Sequence, residues 1–198
     1  MNYVNTFILR YTLFDPIEIN DKLIDNVPHA KILGLHVSCD LKWNFHINEV
    51  IKKARKRLYC LSQLKRSGLG TSELVQFFRT CVRPITEYAC PVFHDSLPAY
   101  LSQDLEAVQK RAMRMIFPFC PYEEALAQSK LGTLSGRRQE VTDKLFNSIL
   151  ENKDNKLHKL LPEPSVRSYN LRNKSRFKPV FKTNRFRNSF ITYNALKA

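Results

Sequence analysis

The chain has 198 residues, and 43% of them are hydrophobic, which excludes a protein that is disordered throughout because this much apolar surface supports a core. Its 32 Lys and Arg outnumber its 18 Asp and Glu and give a formal net charge of +14. A balance this basic favours a polyanionic partner, nucleic acid before a membrane, since clustered cations release counterions from phosphates. The alternative is a basic protein without such a partner.

Residues 1–43 predict a small strand-containing segment. The opening MNYVNTFILRYTLF is apolar, but Arg10 interrupts it, so it is too short to span a bilayer, and it lacks the features of a secretory signal. Residues 16–20 alternate apolar and polar side chains, and residues 31–37 form a more continuous apolar run. We expect the two runs to pair as a hairpin, which needs further elements beside it because an isolated hairpin is only marginally stable.

From residue 44 the apolar residues recur at the helical period. The first helix is expected to have Asn44 as its N-cap and to stop at Gly68 and Gly70. Its predicted inward stripe is Ile47, Val50, Ile51, Ala54, Leu58 and Leu61.

Further helices follow. Thr71 is expected to cap the second helix, and Pro84 to kink or divide it. Residues 90–98 are expected to be a connection, and a third helix to run over 99–117. A fourth helix is predicted between Pro121 and a C-cap at Gly132. A fifth is predicted over 136–150, with its inward residues Val141, Leu145, Phe146 and Ile149.

Residues 162–198 form a basic tail with aromatic residues between the charges. From residue 163 onward the tail holds nine Lys or Arg against Glu163 alone. The aromatic residues are Tyr169, Phe177, Phe181, Phe186, Phe190 and Tyr193. Either the cations bind phosphates of a single strand while the rings stack on bases, or the rings pack on the helices while the charges stay solvated.

Together these patterns predict a mainly α fold. A strand-containing segment over 1–43 precedes a helical bundle over 44–161, and a basic, partly irregular tail over 162–198 follows.

The sequence carries no pattern that predicts catalysis, a cofactor or a metal site. No G-x-S-x-G, H-E-x-x-H, P-loop or G-x-G-x-x-G motif occurs. Two-metal phosphoryl transfer needs converging carboxylates, yet no two aspartates are adjacent. The five cysteines include no C-x-x-C pair, so we expect reduced thiols. A metal site of Cys81, Cys90, His94 and Cys120 lacks ligand spacing, and small core residues are the preferred interpretation.

Several motifs occur in a defined order. KILGLHVSCDLKWNFHI (31–47) contains a K-x-L-G strand pattern and a shortened form of D-x-x-L-x-W-x-x-H-I. FFRTCVRPITEYACPVFH (77–94) is similar to Y-x-x-x-V-R-P-x-L-E-Y-x-x-P-V-W, with Phe93 in place of Trp, and LEAVQKRAMRMIF (105–117) fits L-E-x-V-Q-x-R-A-x-R-x-I. LGTLSGRRQE (131–140) and RFRNSFI (185–191) follow. Over about residues 16–191 the chain thus resembles the region after the catalytic palm in reverse transcriptases of non-LTR (LINE-like) retrotransposons.

The resemblance implies a thumb-like helical bundle that grips RNA or an RNA–DNA hybrid and has no polymerase activity of its own. Residues 31–47 would be the seam between palm and thumb, so the chain would begin after the family's catalytic aspartates. The stretch from LGLHVSCDLKW to KKARKRLY also resembles one that is labelled as the N-terminal region of AlkB-homologue tRNA-modifying proteins. The His-x-Asp pattern that would bind iron does not occur, so oxygenase activity is not expected.

We predict sequence-independent phosphate contacts from basic residues on three helices and the tail. They are Lys52, Lys53, Arg55 and Lys56; Lys110, Arg111 and Arg114; Arg137 and Arg138; and Arg172, Lys174, Arg176, Lys178, Lys182, Arg185 and Arg187. For each group the alternative is a solvated charged face.

Two alternatives to nucleic-acid binding remain. The first is a helical protein-interaction module, in which a partner covers exposed apolar faces around Phe14, Trp43 and Phe93. The second is an inert retrotransposon relic. No membrane partner is expected, and the expected location is intracellular, either nuclear or cytoplasmic.

Overall fold

The computed structural model describes residues 18–19, 22–23, 27–164, 177, 181 and 183–197. The protein is mainly α-helical with short antiparallel strand pairs, which confirms the predicted fold class. The chain divides into two compact units, residues 1–42 (unit 1) and residues 43–198 (unit 2).

Unit 1 contains two antiparallel strand pairs. They are β1 (Glu18–Ile19) with β2 (Lys22–Leu23), and β3 (His29–Ile32) with β4 (Leu35–Ser38). The second hairpin turns at Leu33 and Gly34, which have φ values of 47° and 87°. Two residues with positive φ are typical of a type I′ turn. The prediction of one extended run over 31–37 is therefore wrong, because this turn folds the run back on itself.

Helix α1 (Asn44–Arg66) buries the predicted stripe. The buried members are Ile47, Val50, Ile51, Ala54, Leu58 and Leu61. The prediction of Asn44 as N-cap is wrong, because Trp43 occupies that position without a side-chain cap. The Asn44 amide instead donates a hydrogen bond to the Tyr100 hydroxyl at 2.7 Å.

The predicted glycine stop after α1 is confirmed. Gly68 has a φ of 87°, and its N–H donates to the Lys65 carbonyl at 3.1 Å. The Leu69 N–H donates to the Leu64 carbonyl at 3.3 Å. This is the Schellman arrangement, which satisfies carbonyls at the helix end and uses the left-handed conformation that glycine adopts at little cost.

Pro84 divides the next helical stretch, as predicted. The stretch consists of α2 (Thr71–Phe77), a π-helical segment (Phe78–Val82) and α3 (Arg83–Glu87). Proline lacks the N–H that an α-helix uses and its ring crowds the preceding turn, so the wider π segment accommodates it. The helix begins one residue earlier than expected, with Gly70 rather than Thr71 at the N-cap.

The expected connection at 90–98 contains ordered helical turns. Ala89 has a φ of 52° and reverses the chain, after which α4 (Cys90–Phe93) and a 3-10 turn (His94–Ser96) follow. Pro91 lies in the first turn of α4, where its fixed φ suits a helix start. The segment is thus a connection made of short helical turns.

The remaining elements complete unit 2. They are α5 (Ala99–Ile116), α6 (Tyr122–Ser129), α7 (Leu134–Glu151), a 3-10 turn (Lys156–Leu160), α8 (Asn184–Arg187) and α9 (Phe190–Lys197). The bounds of α5 match the prediction within one residue.

Helix α6 ends at a left-handed residue that is not glycine. Lys130 has a φ of 52°, and its N–H donates to the Ala127 carbonyl at 3.1 Å. The Leu131 N–H donates to the Leu126 carbonyl at 3.0 Å, so this end is also a Schellman arrangement. The predicted cap at Gly132 is therefore wrong. Lys130 adopts the left-handed conformation with a backbone strain that glycine would avoid.

Helix α7 presents a different inner face from the one predicted. Phe146 and Ile149 are buried as expected, but Leu145 is exposed and Val141 only half-buried. The inner face runs at four-residue steps instead, through Leu134, Arg138, Thr142 and Phe146.

The Glu106 carboxylate on α5 joins three helices. It accepts hydrogen bonds from the N–H groups of Leu134 and Ser135, at 3.2 and 3.1 Å, at the start of α7. It also accepts a hydrogen bond from the Tyr122 hydroxyl of α6, whose oxygen accepts one from buried Gln109 at 3.0 Å. Burial and the Glu106 carboxylate raise the pKa of Tyr122 and keep it a donor. We call these side chains the Glu106 cluster.

The C-terminal helix α9 belongs to unit 2 and packs against α7. Phe146, Phe177 and Ala195 form a buried cluster. The Phe190 ring packs edge-on against the Phe146 ring, with 6.1 Å between the two ring centres. Of the two interpretations of the tail aromatics, packing on the helices holds for Phe177 and Phe190. Polar contacts reinforce the packing, since the Asn194 amide donates to the Asp95 carboxylate at 2.6 Å.

We predict that Glu106→Ala lowers the free energy of unfolding by about 2–4 kcal/mol, because it removes a cap from α7 and leaves the Tyr122 hydroxyl without its acceptor. Urea denaturation followed by circular dichroism measures this. The control is Glu123→Ala at the exposed start of α6, expected to cost less than about 1 kcal/mol. Equal losses for the two variants would contradict the role of the Glu106 cluster.

We predict that Lys130→Gly raises the free energy of unfolding by about 0.5–1 kcal/mol, since glycine adopts the left-handed conformation without strain. The mirror substitution, Gly68→Ala, should lower it by about 1 kcal/mol through backbone strain alone, because an added Cβ meets nothing within 4 Å. Thermal denaturation of both variants is the measurement. If both variants changed the free energy of unfolding in the same direction, the left-handed conformation assigned to these two helix ends would be contradicted.

Candidate nucleic-acid interface

Helices α1 and α5 lie side by side and run in the same direction. Near their N-termini the Asn44 amide reaches the Tyr100 hydroxyl. Near their C-termini the Lys65 ammonium donates a hydrogen bond to the Met115 carbonyl. Residues at the same level along the two helix axes are therefore neighbours. Polar residues at the edge of the contact between the helices border a common surface.

Two adjacent hollows lie on the surface of this pair of helices. One hollow of about 320 Å³ is bordered by Lys52 and Arg55 of α1 and by Asp104 of α5. A second hollow of about 550 Å³ is lined by α5 residues, among them the predicted cations Lys110, Arg111 and Arg114. Ala107 lines both hollows, so they are adjacent at its small side chain. We call the two together the α1–α5 groove.

Charge is unevenly distributed along the groove. At the end near the start of α1, the Lys52 ammonium is paired with the Glu49 carboxylate at 2.6 Å, and Asp104 adds a second carboxylate. The α5 residues that line the other hollow include three cations and no carboxylate. An anion is therefore attracted towards the end that holds Arg111 and Arg114.

Two lysine side chains at this cationic end are held by neighbouring groups. The Lys110 ammonium lies 5.4 Å from the centre of the Tyr122 ring, at cation–π distance. Tyr122 is itself held by hydrogen bonds of the Glu106 cluster, so Lys110 lies over an aromatic ring whose position is fixed. The Lys65 ammonium is engaged by the Met115 carbonyl.

The structure separates the other predicted cations from this groove. Lys53 and Lys56 are exposed but line neither hollow. Arg137 is half-buried, with one nitrogen 3.0 Å from the Glu140 carboxylate and another 3.8 Å from that of Glu87. These paired carboxylates compete with any phosphate for Arg137.

Arg138 is not a surface cation, which corrects its predicted phosphate contact. It is 0% exposed, and its Nη2 donates a hydrogen bond to the Ser102 hydroxyl at 2.9 Å. Burial lowers the pKa of the guanidinium, and the nearby charge of Glu106 opposes that shift. A side chain enclosed in this way cannot reach a phosphate at the surface.

Two of the predicted tail contacts are described, Arg185 and Arg187, and both are exposed. The Arg187 guanidinium lies 5.5 Å from the centre of the Phe181 ring. The other predicted tail contacts lie outside the described residues: Arg172, Lys174, Arg176, Lys178 and Lys182.

The apolar faces expected to recruit a protein partner are mostly covered. Phe93 is 1% exposed, and its ring centre lies 5.9 Å from that of Trp43 and 5.3 Å from that of buried His46. The Trp43 indole N–H donates to the Ser96 hydroxyl at 2.8 Å. The prediction that Trp43 and Phe93 form an exposed patch is therefore wrong, and Phe14 lies outside the described residues.

Two residues at or beside the groove were missed in the sequence. Exposed Ala107 lines both hollows, and Tyr59, which lines neither, is 67% exposed on the α1 face that carries Lys52 and Arg55. The available signal was position: Lys52, Arg55 and Tyr59 are separated by three and four residues, so they share the polar face of an amphipathic helix. An aromatic residue on that face does not serve the core.

The described residues contain neither a cluster of metal ligands nor a helix that could span a membrane. Within the described ranges, no three His, Cys, Asp or Glu side chains gather as metal ligands. Burial raises the pKa of the Cys90 thiol to about 11, and Cys81 and Cys120 are half-buried free thiols. No helix in the described part of the chain is long and apolar enough to cross a bilayer.

We predict that phenylglyoxal, which reacts with accessible guanidinium groups, labels Arg111 and Arg114 in the native protein but not Arg138. Peptide mass spectrometry measures the labelling. In concentrated urea, which unfolds the protein and carries no guanidinium group that would consume the reagent, all three should react. Labelling of Arg138 at the rate of Arg114 in the native protein would contradict its burial.

No family model, curated protein or solved structure matches the chain. What the α1–α5 groove does therefore has to follow from its own residues.

Proposed function

We propose that the chain binds RNA or an RNA–DNA hybrid, without regard to base sequence, through phosphate contacts in the α1–α5 groove. The observation that carries this proposal is the position of cations from two helices along two adjacent hollows. Lys52 and Arg55 of α1 border one hollow, and Lys110, Arg111 and Arg114 of α5 line the other. Cations arranged along a groove can neutralise successive phosphates and release their counterions, which is the main source of sequence-independent affinity.

The resemblance to the region after the palm of retrotransposon reverse transcriptases supports the same proposal. In it the chain positions nucleic acid and does no chemistry itself, since the sequence has no paired aspartates to hold two metal ions. The exposed tail cations Arg185 and Arg187 would extend the binding surface. A protein partner is the alternative, and it would use exposed apolar residues such as Phe119, which is 97% exposed.

We predict that the affinity of the full chain for single-stranded RNA and for an RNA–DNA hybrid falls linearly with the logarithm of salt concentration. The double variant Arg111→Ser/Arg114→Ser should lower the slope by about 1.4–1.8, because each lost phosphate contact removes about 0.7–0.9. Fluorescence anisotropy of labelled nucleic acid across a salt series measures both slopes.

The matched control is Lys53→Ser/Lys56→Ser, which removes the same charge from exposed positions outside the groove. It should change the slope by less than about 0.5, a fraction of one contact. Equal changes in the two double variants would show that net charge alone drives binding. Absence of binding at low salt would overturn the proposal in favour of a protein partner.

A further inference from the structure

We infer that the α1–α5 groove prefers a single strand to a duplex, and that Tyr59, beside the groove, stacks on one of the bases of that strand. This inference rests on the proposed function and specifies the form of nucleic acid that the same groove prefers. It depends on the position of Tyr59 among cations and on its exposure.

Tyr59 lies level with the cationic end of the groove. Arg55 and Ala107 border one hollow together, and the Lys65 ammonium contacts the Met115 carbonyl further along the helices. Tyr59 lies between these two points on α1, so it stands opposite the stretch of α5 between them, which carries Arg111. Its ring is 67% exposed, which leaves most of its surface open to a ligand.

Exposed aromatic rings beside cations are typical of single-strand binding. Every base has a flat face that stacks on a ring, while neighbouring cations follow the backbone, so affinity arises without sequence preference. A paired base in a duplex already stacks on its neighbours and does not offer that face. Tyr59 beside Arg55 and Arg111 provides both parts of this arrangement.

The length of this α1 face suits a short stretch of strand. From Lys52 to Tyr59 the helix rises about 10 Å, which matches about three stacked nucleotides. Exposed Ala107 has a small side chain, so it adds little bulk where the two hollows are adjacent.

The test compares Tyr59→Leu and Tyr59→Phe in the full chain, with an oligouridylate of about 12 nucleotides and an RNA–DNA hybrid of the same length as probes. Tyr59→Leu should weaken oligouridylate binding by about tenfold, the loss expected for one stacked base. Tyr59→Phe keeps the ring and should bind as the wild type does. Because no cation is lost, neither variant should change the salt slope, and hybrid binding should be unaffected.

Tyr88→Leu is the control, because it removes an exposed ring at the end of α3 rather than one on the α1 face that carries Lys52 and Arg55. It should leave oligouridylate affinity unchanged. Circular dichroism melts confirm that each variant folds, as expected for exposed positions.

The outcomes separate the two claims. Salt-dependent binding that is unaffected by Tyr59→Leu, or reduced equally for oligouridylate and hybrid, would overturn the single-strand inference and leave the proposed function standing. An equal loss in Tyr88→Leu would overturn it as well. If neither probe binds at low salt, both the inference and the proposed function fail.

Discussion

The Glu106 carboxylate is the contact on which the arrangement of unit 2 depends. From α5 it accepts hydrogen bonds from the first N–H groups of α7 and from the Tyr122 hydroxyl of α6. Its negative charge also lies at the positive end of the α7 dipole. One side chain thus defines where α7 begins and how α6 and α7 approach α5, and through Tyr122 it supports Lys110 at the groove.

The rotation of α5 determines both the core and the groove. Leu105 and Ala112 are completely buried on its inner face, so the helical period directs Arg111 and Arg114 outwards. Because α5 packs along α1, residues at the edge of the contact, such as Arg55 of α1 and Ala107 of α5, border the same hollow. The proposed interface is therefore a consequence of core packing, and a change that rotated α5 would disperse its cations as well as destabilise the fold.

Helix α7 shows where local patterns mislead. Leu145 and Phe146 are adjacent apolar residues, and the period alone does not say which of them faces inwards; Phe146 does. With that rotation Arg138 enters the core, although a charged side chain predicts exposure on average. The partner that its guanidinium finds there, the Ser102 hydroxyl, comes from α5 and is distant in the sequence.

By itself, the sequence determined the mainly α class, the buried stripe of α1, its glycine stop and the division at Pro84. Each of these depends on residues a few positions apart or on the backbone chemistry of a single residue, and such effects are local. The cations of α1 and α5 were also identified as candidates, but as separate groups. Only the tertiary structure decided that they border adjacent hollows beside Tyr59 and that Arg138 is excluded from this surface, because both outcomes depend on how helices distant in the sequence pack against one another.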